Sequence, residues 1–375
     1  LKPVAGHLYI GLMSGTSTDG VDAVLADFAT PSQPKLIKAV ALAMPPSLRT
    51  TLLALNSPGD NELHRAAEAS LALAKLYHTA CVQLLQATHF TATDIRAIGA
   101  HGQTVRHRPD LGFTIQLNAP AHLAEATDID VIADFRSRDI AAGGHGAPLV
   151  PAFHQALLSN ATRRTIVNLG GIANITRLHP GKPVTGFDTG PANVLMDYWC
   201  ERHMKQPFDA HGAWAAQGMV SNDLLEYLIG SEPWFAKAPP KSTGRDLFNA
   251  NWLTQRLEEW TGSNNNVSLR PVDVQATLLA LTAKTVATSI ECYASATQEV
   301  LVCGGGALND TLMQVLQAQL KCPVRSTSEL GIDAQHVEAL AFAWLAWAYD
   351  TGHKAALPDV TGARHPTILG CRYYA

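Results

Sequence analysis

The feature that most constrains this chain is an internal echo. Residues 9–28 read YIGLMSGTSTDGVDAVLADF, and residues 165–178 read TIVNLGGIANITRL. Each is an apolar, β-branched run, a glycine-bearing break and a second such run, which is the pattern of two strands joined by a turn. A chain that repeats one supersecondary unit near the start of each half points to two related domains. The length of 375 residues agrees, because single cores stop growing at about 250–300 residues. A third glycine cluster, EVLVCGGGALNDTLMQVLQAQL at 299–320, reads instead as strand, turn and helix, with Asn309 or Asp310 as the N-cap.

Periodicity fills in the rest. Residues 62–87 predict a helix with Leu63, Ala67, Leu71, Ala74, His78, Cys81 and Leu85 on one face. Residues 272–295 predict another, with Val274, Leu278, Leu281 and Ile290 inward. Residues 336–350 predict a third, uncharged between Glu338 and Asp350 and therefore buried on most sides. Strands are predicted at 8–13, 21–28, 97–100, 131–133, 165–168, 173–178 and 299–302. The fold class is α/β.

Composition removes several classes of function. Apolar residues make up 47% and charged residues 16%, as in a well-buried globular enzyme. The net charge of −4 leaves no electrostatic footprint for nucleic acid or an anionic membrane. The apolar stretch Ala339 to Tyr349 is too short to span a bilayer. The N-terminal apolar run turns into a Gly/Ser/Thr loop, unlike a signal peptide. Six scattered cysteines without C-x-x-C or zinc-like spacing suggest reduced thiols and a cytoplasmic protein.

The chemistry must then reside in the loops. The first, Gly11, Leu12, Met13, Ser14, Gly15, Thr16, Ser17, Thr18 and Asp19, offers backbone N–H groups and four hydroxyls to a polyphosphate. Asp19 is a candidate magnesium ligand, since carboxylates are the side chains this ion prefers. The second, Gly170-Gly171, can form a nest for a terminal phosphate, and Gly304-Gly305-Gly306 meets a helix N-terminus. None matches the P-loop, the nucleophile elbow or the dinucleotide fingerprint. Taken singly, each is equally an ordinary turn. Asp188, in Gly186-Phe187-Asp188-Thr189-Gly190-Pro191, is placed either as a general base or as an Asx-turn residue. Arg136 or Arg138 can fork onto a carboxylate or join an internal salt-bridge network. His101 and Gln103 end a strand, where they can present hydrogen-bonding groups to a sugar or serve structure alone.

The combination of two hairpin loops with a strand–GGG–helix element is the layout of the actin, hexokinase and Hsp70 superfamily. The strings GLMSGTSTDGVDAVLA, AIGAHGQTVRH, ADFRSRDIAAGGHGAPLVPAFH, VNLGGIANIT, GFDTGPANVLMDYW, PKSTGRDLFN, DVQATLLALTA, LVCGGGALND and HVEALAFAWLAW closely resemble the anhydro-N-acetylmuramic acid kinases of peptidoglycan recycling. They run in family order along nearly the whole chain. The resemblance implies two actin-like (ribonuclease H-like) domains with mixed sheets flanked by helices around an interdomain cleft. The first would comprise 1–135 with 336–375 and the second 136–335.

It further implies that ATP and Mg2+ are used to open 1,6-anhydro-N-acetylmuramic acid with water and phosphorylate O6, in a cytoplasmic homodimer. Asp188 would be the base activating water. Gly11 to Thr18 would hold ATP, with Gly170, Gly171 and Gly304 to Gly306 lining the nucleotide side. Arg136 and Glu338 would lie in the sugar pocket. The chain departs from the family pattern at Thr18, Ala192, His145 and Leu117-Asn118-Ala119. A kinase for another sugar, or a partner-coupled ATPase, would share the same loops.

Overall fold

In the computed structural model, residues 6–15, 18–263 and 269–375 are described. The strands are β1 (Leu8–Met13), β2 (Gly20–Asp27), β3 (Lys35–Ala43), β4 (Ile95–Ala100), β5 (Gln103–Arg108), β6 (Phe113–Leu117), β7 (Val131–Ala133), β8 (Arg164–Leu169), β9 (Ile172–Leu178), β10 (Thr185–Pro191), β11 (Glu299–Cys303), β12 (Val324–Ser326) and β13 (Cys371–Tyr373).

Two compact units result, Leu1–Ser159 with His336–Ala375, and Asn160–Gln335. The return to the first unit falls at 335/336, but the departure comes after 159 rather than at 135. Residues 136–158 stay with the first unit for a physical reason. The buried carboxylate of Asp139 accepts from Thr361 Oγ1 at 2.7 Å and from Gly146 N at 2.8 Å, and helix Val150–Leu158 packs on helix Val337–Asp350.

The sheet of the first unit runs β13-β7-β4-β1-β2-β3. β1, β2 and β3 are antiparallel, whereas β4 and β7 continue parallel to β1. The second unit repeats this plan as β10-β9-β8-β11-β12, with β8, β9 and β10 antiparallel and β11 and β12 parallel to β8. The first hairpin, the antiparallel third strand and the two parallel strands thus occupy the same places in both. Each unit is an α/β domain with a mixed sheet flanked by helices, and the two share one strand plan.

Helices cover both faces of the first sheet. Ile10 and Leu12 of β1 share a core with Leu73, Tyr77 and Leu84 of helix Glu62–Gln86. On the opposite face, a Cβ at Gly11 would collide with the backbone of Ala339 and lie 2.6 Å from Ala343 N, and one at Gly99 would collide with Phe342 O. Glycine at these two positions lets helix Val337–Asp350 lie directly on β1 and β4. Helix Pro271–Tyr293 covers β9 and β10, with Val274, Leu278, Leu281 and Ile290 all buried.

The stripe expected on the 62–87 helix is corrected. Ala74 and Cys81 are buried as expected, but the rest of the inward face is Ala69, Leu73, Tyr77, Ala80 and Leu84, while Leu63 is 90% and Leu71 40% exposed. The apolar residues of this helix exceed one stripe, so periodicity alone misplaces the face. Among the described residues, no helix is long and apolar enough to cross a membrane.

Candidate active site

In the first unit the turn after β1 is held by side chains from the β4–β5 link. Gly11, Leu12 and Met13 belong to β1 itself, and Leu12 is fully buried. The turn begins at Ser14 and Gly15. Thr16 and Ser17 lie outside the described residues. Thr18 is buried with φ 54°, and its N–H donates to Gly15 O at 3.1 Å. The Asp19 side chain is 59% exposed and 3.9 Å from Arg49.

Ser14 Oγ donates to Gln103 Oε1, while Gln103 Nε2 donates to Gly15 O at 3.1 Å. His101 N donates to Leu12 O at 3.0 Å, and its Nδ1 is 3.2 Å from Ser14 O. Arg136 approaches His101 Nε2 with Nε at 3.3 Å and Nη2 at 2.9 Å, and donates from Nη1 to Gly146 O at 2.8 Å.

These partners settle the state of the imidazole. Guanidinium nitrogens only donate, and a carbonyl only accepts. His101 Nε2 must therefore accept from Arg136, and Nδ1 must carry the proton given to Ser14 O. Burial, and then the Arg136 charge, push the His101 pKa down to about 3, so the ring stays neutral. Both ring nitrogens are used inside the protein, which leaves neither for a sugar. Gln103, 1% exposed, likewise turns its amide onto the loop. Glu338 is half-buried in the first turn of helix Val337–Asp350.

In the second unit three turns gather at one end of the sheet. The β8–β9 turn, Gly170-Gly171, is held by backbone. Asn193 N donates to Gly170 O at 3.0 Å, and Ala192 N and Val194 N donate to Gly171 O at 3.0 and 3.1 Å. The first N–H groups of helix Asn193–Met204 are thus satisfied by this turn. Ala192 has φ −115°, so the residue standing for a usual glycine meets no positive-φ demand. Asn193 Nδ2 also donates to Leu169 O at 3.0 Å.

Beyond β11, Gly304 has φ 81°, and a Cβ there would lie 2.8 Å from the Leu169 carbonyl carbon. Gly170 and Gly305 differ. Neither has a positive φ, and the nearest atom to an added Cβ would be at 3.6 Å and 3.8 Å. Their own packing does not require glycine, whereas a ligand approaching the backbone closely would. Asn309 caps helix Asp310–Gln319 by accepting from Leu312 N at 2.9 Å.

Asp188 sits inside β10, 7% exposed. Its register partner is Asn174, which pairs in turn with Asn168, and Asn168 pairs with Cys303. Directly paired residues point to the same side of a sheet. Asp188, Asn174 and Asn168 therefore form a polar row on one face, next to the glycine turns. The segment after the Pro239-Pro240 pair closes around the carboxylate. Thr243 N donates to Asp188 Oδ2 at 2.9 Å, and Asp188 N donates to Lys241 O at 3.2 Å. The buried Lys241 ammonium donates to Phe235 O at 3.1 Å and lies 4.4 Å from the Trp234 ring centre. Burial pushes its pKa down, and the Asp188 charge draws it back up.

Sequence alone does not single out the row of asparagines, Lys241 or Thr243. The register that aligns the row is a product of topology, and Lys241 lies more than fifty positions from Asp188. The PKST string was the available signal.

A family model described as anhydro-N-acetylmuramic acid kinase matches residues 7–375. Curated relatives carry that same name, among them the following three. The protein from Bordetella pertussis is 59% identical over 372 residues, covering 99% of this chain and 97% of its own. That from Variovorax paradoxus is 51% identical over 384 aligned positions, covering 99% and 100%. That from Chromobacterium violaceum is 50% identical over 368, covering 98% and 99%.

Proposed function

The chain belongs to the anhydro-N-acetylmuramic acid kinase family, and on that premise we propose that it hydrolyses the 1,6-anhydro bridge of anhydro-N-acetylmuramic acid while transferring the γ-phosphoryl group of ATP to O6. Water adds at C1 and gives a proton to the Asp188 carboxylate. The C1–O6 bond breaks as O6 bonds to the γ-phosphorus, and ADP leaves. The products are N-acetylmuramic acid 6-phosphate and ADP. Capturing O6 as a phosphate ester prevents the bridge from closing again, and coupling the two events requires the reacting atoms in one arrangement.

The observation that carries this reading is the setting of Asp188. It is a nearly buried carboxylate fixed by the Thr243 N–H, beside glycine turns whose bare backbone at Gly170 and Gly305 suits phosphate oxygens. A base that orients the nucleophile is what phosphoryl transfer asks of the protein, along with neutralised charge. The proposed division of labour gives Asp188 and the glycine turns of the second unit to water and nucleotide. Ser14, Gly15 and Thr18 of the first unit bind phosphate, and Arg136 takes the lactyl carboxylate with Glu338 on the sugar.

Magnesium fits as an ion carried on the nucleotide. Among the described residues no group of three metal-ligating side chains occurs. Nucleotide-borne magnesium needs only one or two protein carboxylates, and the exposed Asp19 offers one. When bound, the ion neutralises charge on the phosphates. Recycling of cell-wall sugar in the cytoplasm, by a homodimer, is part of the same proposal.

The test is mass spectrometry of the reaction with ATP, magnesium, the anhydro sugar and oxygen-18 water, with Asp188→Asn in parallel. The expected product is a 6-phosphorylated sugar with one labelled oxygen at C1. The variant should lose at least about a hundredfold in kcat and still bind nucleotide. Absence of sugar phosphate from the wild-type enzyme would overturn the substrate. Normal turnover by the variant would overturn the base.

A further inference from the structure

We infer that His101 is a positioning residue, a two-sided imidazole that fixes Arg136 and the Ser14 turn as one unit. This rests on the roles proposed for Arg136 and for the turn. One edge of the ring receives Arg136 through two donors, at 3.3 and 2.9 Å. The other edge lies 3.2 Å from Ser14 O, and the backbone N–H of the same residue holds Leu12 O at 3.0 Å. The ring packs against Phe342 with centroids 4.6 Å apart, which sets its plane. Phe342 is one helical turn beyond Glu338, so the imidazole leans on the helix that carries the second sugar-side residue.

Few side chains can do this. Lysine and arginine only donate, and ionised carboxylates only accept. A neutral imidazole carries a donor and an acceptor on opposite edges of a rigid ring. Displacing Arg136 toward an anion therefore pulls on the same ring that holds the start of the phosphate turn. Sugar and nucleotide binding become coupled through one residue that touches neither.

Two substitutions separate the two edges. The Asn amide reaches the position of Nδ1, so His101→Asn keeps the donor to Ser14 O and loses the acceptor for Arg136. The Gln amide reaches the position of Nε2, so His101→Gln keeps the acceptor and loses the donor. The expected result is a split. The Asn variant raises the KM for the anhydro sugar on the order of tenfold and leaves the ATP KM within about twofold, and the Gln variant does the reverse. Equal rises in both constants for both variants, or a lower melting temperature with neither constant changed, would overturn the inference.

Nitrogen-15 NMR of histidine-labelled wild-type protein is independent of activity. It should show His101 neutral, with the proton on Nδ1 between pH 6 and 8. A proton on Nε2 would overturn the inference even if the kinase reaction is as proposed. If the wild type does not phosphorylate this sugar, the functional proposal falls, and the ATP dissociation constant of the Gln variant decides the role of His101. A tenfold weakening supports it, and an unchanged value overturns it.

Discussion

The two units close the same first hairpin by different means. In the first, six residues, Ser14 to Asp19, separate β1 from β2. Its described start is held by the side chains of His101 and Gln103. In the second, two glycines separate β8 from β9, and backbone N–H groups of residues 192–194 hold them. One topology has thus produced one turn that depends on side-chain chemistry and another that depends on bare backbone. The first should respond to protonation and to loss of a hydroxyl. The second should respond to added bulk.

Acid should separate them most. His101 and His154, both in the first unit, have folded pKa values pushed down to about 3 by burial, and His107 is pushed to about 4. The unfolded value is near 6.5. Between these limits the folded state binds fewer protons than the unfolded state. Stability is therefore complete above about pH 6.5 and falls as the pH drops toward 3, by about 1.4 kcal/mol per pH unit for each fully buried ring. His179 and His203 of the second unit shift the same way but are much less buried. Hydrogen-exchange protection factors, which divide out the slower intrinsic exchange in acid, should fall between pH 7.5 and pH 5 more in β1, β2 and β4 than in β8, β9 and β11. An equal fall would break the comparison.

Bulk should act on the second unit. Gly304→Ala places a methyl against the Leu169 backbone at a φ of 81°. A loss of about 3 kcal/mol in urea unfolding is expected. A value under about 1 kcal/mol would mean that the turn yields, and that backbone packing does not define it.

The two-domain plan was legible because it rests on local patterns. Paired apolar runs around glycines mark both first hairpins, and the buried helix Val337–Asp350 shows as an uncharged apolar run. β3 carries no comparable signal, because KLIKAVALA is half-exposed and alternates weakly. Residues 136–158 group with the first unit through the distant Thr361 and the helix after Val337, contacts that no local pattern announces. The candidate site divides similarly. Asp188 and the glycine turns carry their own local signals. The partners of Asp188 do not, since Thr243 and Lys241 reach it through a loop whose path sequence does not reveal. His101 was recognisable as a polar residue at a strand end, yet its partners Arg136 and Ser14 lie 35 and 87 positions away.

Smaller effects sharpen the comparison further. Ser14→Ala removes the donor to the buried Gln103 Oε1. It should destabilise the first unit by about 1–2 kcal/mol, read by urea unfolding, and raise the KM for ATP. An unchanged midpoint would mean that Gln103 finds another partner and that the turn is not side-chain dependent.

Gly305→Ala should have the least effect on stability. The residue next to it, Gly304, has no room for a methyl, whereas at Gly305 the nearest atom would be Asn193 Nδ2 at 3.8 Å. With no positive φ to violate, alanine should change the unfolding free energy by no more than about 0.5 kcal/mol, in either direction. If glycine is there for fold alone, nucleotide affinity should be equally indifferent. If it is there to let phosphate oxygens reach the backbone, the ATP dissociation constant should rise severalfold in a protein of unchanged stability. Isothermal titration beside urea unfolding distinguishes the two. Two adjacent glycines, one required by the fold and one by the ligand, would explain why this turn is glycine-rich beyond what its own geometry demands.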